Sequence, residues 1–351
     1  MAAKTPLLIF RILLFTGTAV SLYFVPWPIV TAWLKPVPDS IEQQVEKIDS
    51  YGFDGIIVYV EKKGQAARWY TAGYDNKVEK TAVDPHALFK IASIDKLYTA
   101  LSITKLASRG KLSLDKTLVD YFPELEGRIE YADEISIRML VQHRSGIPNL
   151  TDVPDFYNNP PANSEEALAL ILDQPADFKP DAKYKYCNTN YLLLGSLIEE
   201  LSDSSKFHFI KENILDPLDL KNTYASIHDI NMDDLMSGYY VGIEEDMKTV
   251  DYGSMIASAE DVGIFLRALN EGTIFDDGEM EIYSSIYEFN HTGLMPGYQS
   301  IARYHKDIDA VVVQFTNTTK FDGYNWNLST IMYRKIMKLL RKEENTLAML
   351  P

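Results

Sequence analysis

Cysteine is almost absent from this chain. Cys187 stands alone among 351 residues, so no intrachain disulfide forms and no cysteine-based metal framework exists. Histidine is scarce as well. The six copies never fall at H-x-x-x-H or H-E-x-x-H spacing, so no metal centre is expected. Positive charge is the minority sign: 34 Lys and Arg stand against 50 Asp and Glu, a net charge of −16, with no basic run. Such a surface repels a polyanion, which argues against nucleic acid as a partner. Also missing are the G-x-S-x-G turn of an α/β-hydrolase, the G-x-x-x-x-G-K phosphate loop, any internal repeat and any low-complexity tract.

The composition that remains is globular, 46% hydrophobic and 24% charged, with length for one large domain or two small ones. The N-terminal stretch "KTPLLIFRILLFTGTAVSLYFVPWPIV" is strongly apolar. Lys4 and Arg11 precede an apolar run from Ile12 to Val25, and Val30-Thr31-Ala32 offers small residues for cleavage. Residues 1–33 therefore read as a signal peptide or, uncut, as a transmembrane anchor. Either places the rest of the chain in the periplasm or at the cell exterior. "LKPVPDSIEQQ" (Leu34 to Gln44) is polar and proline-bearing, so residues 34–50 read as linker and lead-in.

Further on, "FDGIIVYVEKKGQAARWYTAGYD" predicts two strands turning near Lys62 to Gly64. Ser93 to Arg109, Thr189 to Leu201 and Glu260 to Asn270 carry helical periodicity, with Gly110 and Gly272 placed to end two of them. "YQSIARYHKDIDAVVVQFTN" predicts two more strands, and "WNLSTIMYRKIMKLLRK" a C-terminal amphipathic helix. The order strands, helices, strands, helix implies an α+β fold, with one antiparallel sheet assembled from both chain ends around a mostly helical insertion.

Three short patterns could carry chemistry. Ser93 and Lys96 in "IASIDKLYTA" share a helix face, and a lysine that is buried near a helix N-terminus loses proton affinity and can serve as a base. S-x-x-K recurs at Ser102–Lys105 and Ser113–Lys116, so alone it also reads as a capped helix. Tyr186-Cys187-Asn188 precedes a helix, where a tyrosine can shuttle protons and an amide can orient a lysine, or where Asn188 or Thr189 is simply a cap. His291-Thr292-Gly293 precedes a strand-like run, where glycine lets a substrate backbone approach. On its own it reads equally as a turn.

In this order, S-x-x-K, Y-x-N and [KH]-[TS]-G resemble the serine β-lactamase and penicillin-binding protein superfamily, nearest its class C β-lactamase, D-alanyl-D-alanine carboxypeptidase and esterase branch. "LFKIASIDKLYTAL", "LVQHRSGIPNL", "YKYCNTNYLLLGSLIEEL" and "ASAEDVGIFLRALNEG" carry the resemblance from about Phe53 to Leu340. It implies a β-lactamase/transpeptidase-like hydrolase domain over residues 51–344, followed by a tail at 345–351. It further implies a cofactor-free serine hydrolase that acylates Ser93, with Lys96 and Tyr186 moving the proton. Asn188, His291, Thr292, Gly293 and Leu294 are then the substrate-binding set, with backbone N–H groups of Ser93 and Leu294 facing the oxyanion. Its substrate would be a peptide, amide or ester; the rival is a non-catalytic sensor or scaffold that binds cell-wall peptide or a partner protein. Three departures stand out: Cys187 where serine is common, His291 where lysine would attract a carboxylate, and Asp95 where threonine is usual, expected to point away from the site. His143 is expected to order the turn into Gly146, and His86, His208, His228 and His305 to lie in loops or at the surface.

Overall fold

The computed structural model describes residues 4–347; the outer ends of the segments read as leader (1–33) and tail (345–351) lie outside them. Strands β1 (Gly55–Lys62), β2 (Arg68–Asn76) and β3 (Thr81–Ala82) come from the N-terminal side of the domain. Strands β4 (His291–Met295), β5 (Tyr298–His305) and β6 (Ala310–Thr316) come from its C-terminal side. They form one antiparallel sheet in the order β3-β2-β1-β6-β5-β4. The two chain ends meet at the β1–β6 pair, with Ile57 opposite Phe315 and Tyr59 opposite Val313. The sheet built from both ends is thus the one that the order of the segments predicts.

Both faces of β1 and β6 are buried, which explains their unbroken apolar runs. With a side-chain period of two, Ile57, Tyr59, Val311, Val313 and Phe315 enter one core, while Ile56, Val58, Val60, Ala310 and Val312 enter the other. Each valine, isoleucine or phenylalanine among them contributes about 1.5–3 kcal/mol on burial.

The longer helices are α1 (Lys4–Tyr23), α2 (Trp27–Leu34), α3 (Asp95–Ser108), α4 (Asn188–Ser202), α5 (Ala259–Glu271), α6 (Glu279–Ile286) and α7 (Tyr324–Leu347). The first core joins the sheet to α3, α4, α5 and α6. Helix α5 comes close because it presents Gly263 to the Tyr59 ring; a Cβ there would stand 2.3 Å from a ring carbon. Helix α6 is tied to α3 by the buried Lys105 ammonium, 2.8 Å from Glu279, whose carboxylate also accepts from Ser108. The Ser102–Lys105 copy of S-x-x-K is therefore structural, and the Ser102 hydroxyl bonds back to Tyr98 O at 2.9 Å.

The second core lies between the other sheet face and α7, together with α2 and the turn Ile41–Val45. Two expectations change here. Residues 34–50 are not a free linker: Ile41, Val45 and Ile48 are buried against the sheet and α7. Their spacing of four and three residues is the signal for that buried face, and the neighbouring prolines and acids mask it. The N-terminal segment is not one straight helix either. α1 and α2 meet at 79° around Pro26, and among the described residues no single helix is long and apolar enough to cross a membrane. Taken together, the bent pair has the length and composition to do so. The stretch Val30–Ala32 lies within α2, Ala32 is buried, and Lys335 Nζ donates to Ala32 O and Lys35 O at 2.8 Å each.

Candidate active site

Ser93 sits on a tight turn, Ala92–Ile94, that leads into α3. The turn is forced: Ala92 has φ +50°, a left-handed conformation that costs a non-glycine residue of order 1 kcal/mol. Neighbours hold it there. Ala92 N–H donates to Ser254 Oγ (3.0 Å), Ile91 N–H to Met255 O (3.0 Å), and Ser300 Oγ donates to Ile91 O (3.1 Å). Just before it, Lys90 is buried with no carboxylate partner among the described residues, and its ammonium donates to Met247 O and Val250 O at 2.8 and 2.6 Å. Burial pulls the Lys90 pKa down to about 8. Lys90 thereby pins the loop that carries Tyr252 and Ser254 to the site.

Three side chains from the sequence reading converge on the turn. Tyr186 OH stands 2.7 Å from Ser93 Oγ and Lys96 Nζ 3.2 Å from it. Lys96 Nζ also donates to Asn188 Oδ1 at 2.9 Å, and its charge faces the rings of Tyr186 and Tyr191. Asn188 does not cap α4: Cys187 holds the cap position, and the amide is turned to Lys96 and to Thr151 Oγ1, at 3.0 Å. Asn149 holds that arrangement by accepting Asn188 N–H at 2.8 Å and donating to Thr151 and Asp152.

Burial sets the proton affinities. It drives the Lys96 pKa down to about 8, with Asp95 opposing the fall and Lys206 adding to it. It pushes the Tyr186 phenol well above its ordinary value, against the hydrogen bond it shares with Ser93, which lowers it. Between the two, a neutral amine is the more accessible proton acceptor near neutral pH, and the phenol stays protonated.

β4 is the edge strand of the sheet and runs beside the nucleophile turn. A Cβ on Gly293 would lie 2.4 Å from Ile91 O and 2.3 Å from Ser300 Oγ, so glycine is what permits the approach. Along β4 exposure alternates, with Thr292 and Leu294 more open than the residues beside them. His291 is 8% exposed; Nε2 stands 2.9 Å from Tyr287 OH and Nδ1 2.6 Å from Thr292 O. Burial and the nearby Lys96 lower its pKa to about 4, so it stands neutral near neutral pH.

Ser93, Lys96, Tyr186, Asn188 and His291 to Leu294 all line one cavity of about 990 Å³. Phe156, Tyr157, Pro160 and Tyr252 add apolar and aromatic wall from two loops. One expectation is corrected: Asp95 does not face away but lines the cavity and pairs with Lys206 Nζ at 2.7 Å. His228 is the surface residue expected, and it also stands at the cavity, 3.4 Å from Asp251. Cys187 is a small buried filler, its thiol 3.4 Å from Ile147 O and its pKa pushed up by burial. His143 does more than order a turn: its Nδ1 accepts Cys187 N–H at 3.1 Å and its ring lies 4.5 Å from that of Tyr186. Sequence reasoning missed Lys90, Asn149, Ser254 and Ser300. None has a local pattern, because each makes a contact with a residue far along the chain: Lys90 with Met247 and Val250, Asn149 with Asn188, Ser254 with Ala92 and Ser300 with Ile91.

This fold agrees with what comparison finds. The family profile described as Beta-lactamase matches residues 38–285. The chain belongs to the beta-lactamase family. It is 26% identical over 267 residues to Protein flp of Staphylococcus aureus (strain MW2), a match over 72% of this chain and 52% of flp. It is 25% identical over 204 residues to the N-acetylmuramyl-L-alanine amidase of Bacillus subtilis (strain 168), covering 52% of this chain and 45% of that protein. The chain thus spans about half the length of the curated relatives it matches. The D-amino acid amidase from Ochrobactrum anthropi SV3, solved with D-phenylalanine, shares its fold with a TM-score of 0.76 at 19% identity, over 86% of this chain and 98% of that one.

Proposed function

We propose that this beta-lactamase family member hydrolyses an amide, peptide or ester through an acyl-Ser93 intermediate. The observation that carries this is the nucleophile's setting: Ser93 Oγ lies between the Tyr186 hydroxyl (2.7 Å) and the Lys96 ammonium nitrogen (3.2 Å) on the wall of a large cavity. Neutral Lys96 accepts the Ser93 proton as Oγ attacks the carbonyl carbon. The negative charge collects on the former carbonyl oxygen, between the backbone N–H groups of Ser93 and Leu294. Collapse breaks the bond to the leaving group, which takes a proton from Tyr186. The phenol is reprotonated through Lys96. Water then attacks the acyl carbon along the same proton path, and the carboxylic acid leaves. With a pKa of about 8, roughly one Lys96 in ten is neutral at pH 7.

The walls indicate the acyl group. Phe156, Tyr157 and Tyr252 present apolar surface. His291 is neutral and Lys206 is already paired, so beyond the reacting Lys96 a substrate carboxylate meets little free positive charge. A neutral amide or ester with an aromatic or apolar acyl side chain fits better than a β-lactam carboxylate. Wild-type protein should turn over p-nitrophenyl esters and p-nitroanilides of such acyl groups, and Ser93→Ala should not. Binding without turnover would instead support the sensor reading.

The N-terminal pair supports a second part of the proposal, a chain held at a membrane with its cavity outside the cytoplasm. From Leu7 to Phe24, α1 exposes leucine, isoleucine and phenylalanine all round, with Tyr23, Trp27 and Trp33 at its domain end. The full-length protein should sediment with membranes and resist an alkaline wash; release by that wash contradicts an inserted helix.

A further inference from the structure

We propose that Lys206 is a positioning residue for acylation: by pairing with Asp95, it keeps that carboxylate from stabilising the charged form of the neighbouring Lys96. The inference rests on Ser93 and Lys96 as the reacting pair.

Asp95 is the residue that precedes Lys96 on α3, and it is mostly shielded, with its side chain 18% exposed. An unpaired carboxylate beside a buried amine favours the ammonium form and so removes the base. The short helix Lys206–Ile210 supplies the answer. Its first residue reaches across to α3 and holds both carboxylate oxygens, at 3.0 and 2.7 Å. The placement is fixed independently: Ser205 caps that helix, and Lys206 N–H donates to Glu199 on α4 at 3.0 Å. The aliphatic stem of Lys206 lies against Gly195 of α4, where a Cβ would stand 3.3 Å from its Cδ. Three elements therefore cooperate to set one ammonium group on Asp95.

The other groups around Lys96 leave this pair to decide its charge. From α4 and the two residues before it, Lys96 faces Tyr186, Cys187, Asn188 and Tyr191; burial raises the pKa of both phenols and of the thiol, so they stay neutral. His143 and His291 are held neutral by burial. Asp152, beside Asn149, pairs with Lys185, and Glu288 stands 3.5 Å from His291. Among carboxylates, Asp95 is the one that acts on Lys96 directly, and Lys206 opposes it. The residue that departs from the family pattern at position 95 thus comes with a compensating partner at 206.

The test follows the rate at which a fluorophosphonate labels Ser93 as pH rises, in the full-length protein. That reaction forms an O–P bond at Ser93 Oγ, expels fluoride, and passes the serine proton to Lys96. Lys206→Met leaves Asp95 unpaired and should move the rising limb of the profile upward by roughly half to one pH unit, which slows labelling at pH 7 by about three- to tenfold. Asp95→Asn should move the limb downward. The double variant should fall between the two singles, and Lys206→Arg should restore the wild-type limb. A merely structural pair would lower the rate evenly at every pH and leave the limb in place, and that result overturns the proposal. Should the wild type itself fail to label, the acyl-serine reading falls, an outcome separate from a limb that does not move.

Discussion

Replacing Gly293 with alanine should cripple acylation while leaving the protein folded. The added Cβ would meet Ile91 O at 2.4 Å, Ser300 Oγ at 2.3 Å and the Ala92 Cβ at 3.0 Å. The first of these is backbone and cannot rotate away. The second holds the turn in place through its hydrogen bond to Ile91 O. The relief open to the molecule is to move edge strand β4 away from the nucleophile turn, which a strand bonded along one side only can do. Overpacking of this kind costs about 1–3 kcal/mol, or a few degrees in Tm. The cost to chemistry is larger, since the oxyanion donors proposed at Ser93 and Leu294 lie on the two elements pushed apart. Loss of one aligned donor is worth about a hundredfold to a thousandfold in rate. Labelling by a fluorophosphonate and hydrolysis of a p-nitrophenyl ester should both fall by about a hundredfold or more, with the far-ultraviolet circular dichroism unchanged. A variant that reacts within about threefold of wild type would refute the view that the β4–turn contact sets the oxyanion site.

Two further outcomes follow from buried charge. Lys105→Met strips the partner from the buried Glu279 carboxylate and should destabilise the fold by about 3–5 kcal/mol, read by urea unfolding; a change under about 1 kcal/mol would mean that the pair carries no such role. Acid should unfold the protein through His143 and His291, whose folded pKa values lie near 3 and 4 against 6.5 for a free imidazole. The unfolded chain binds those protons first, so stability is lost as pH falls from about 6.5 towards 4. The loss reaches on the order of 2–3 kcal/mol per histidine. Unfolding curves that coincide at pH 6.5 and pH 4.5 would contradict neutral burial of these rings.

The sequence carried the sheet and the reacting residues because both are written in local patterns. Unbroken apolar runs mark β1 and β6, and three short motifs mark the turn, the start of α4 and the edge strand. What it did not carry depends on distant partners. Asp95 looked as if it pointed away because a helix wheel places it 100° from Lys96, yet Lys206, on another helix, draws its carboxylate into the cavity wall. Lys90 holds the Met247–Val250 loop and Ser300 the nucleophile turn, both through backbone carbonyls, which leave no mark in the sequence. Residues 34–50 read as a linker because their prolines and acids outweigh three apolar residues that the C-terminal helix buries.

The central claim is that one serine, Ser93, takes the acyl group. Intact-mass measurement after exposure to a fluorophosphonate, followed by peptide mapping, tests it most directly. The account predicts one equivalent of label on the peptide that contains Ser93, lost in Ser93→Ala and strongly slowed in Lys96→Ala. Label that persists in Ser93→Ala, or that maps to Ser102 or Ser113, would contradict it.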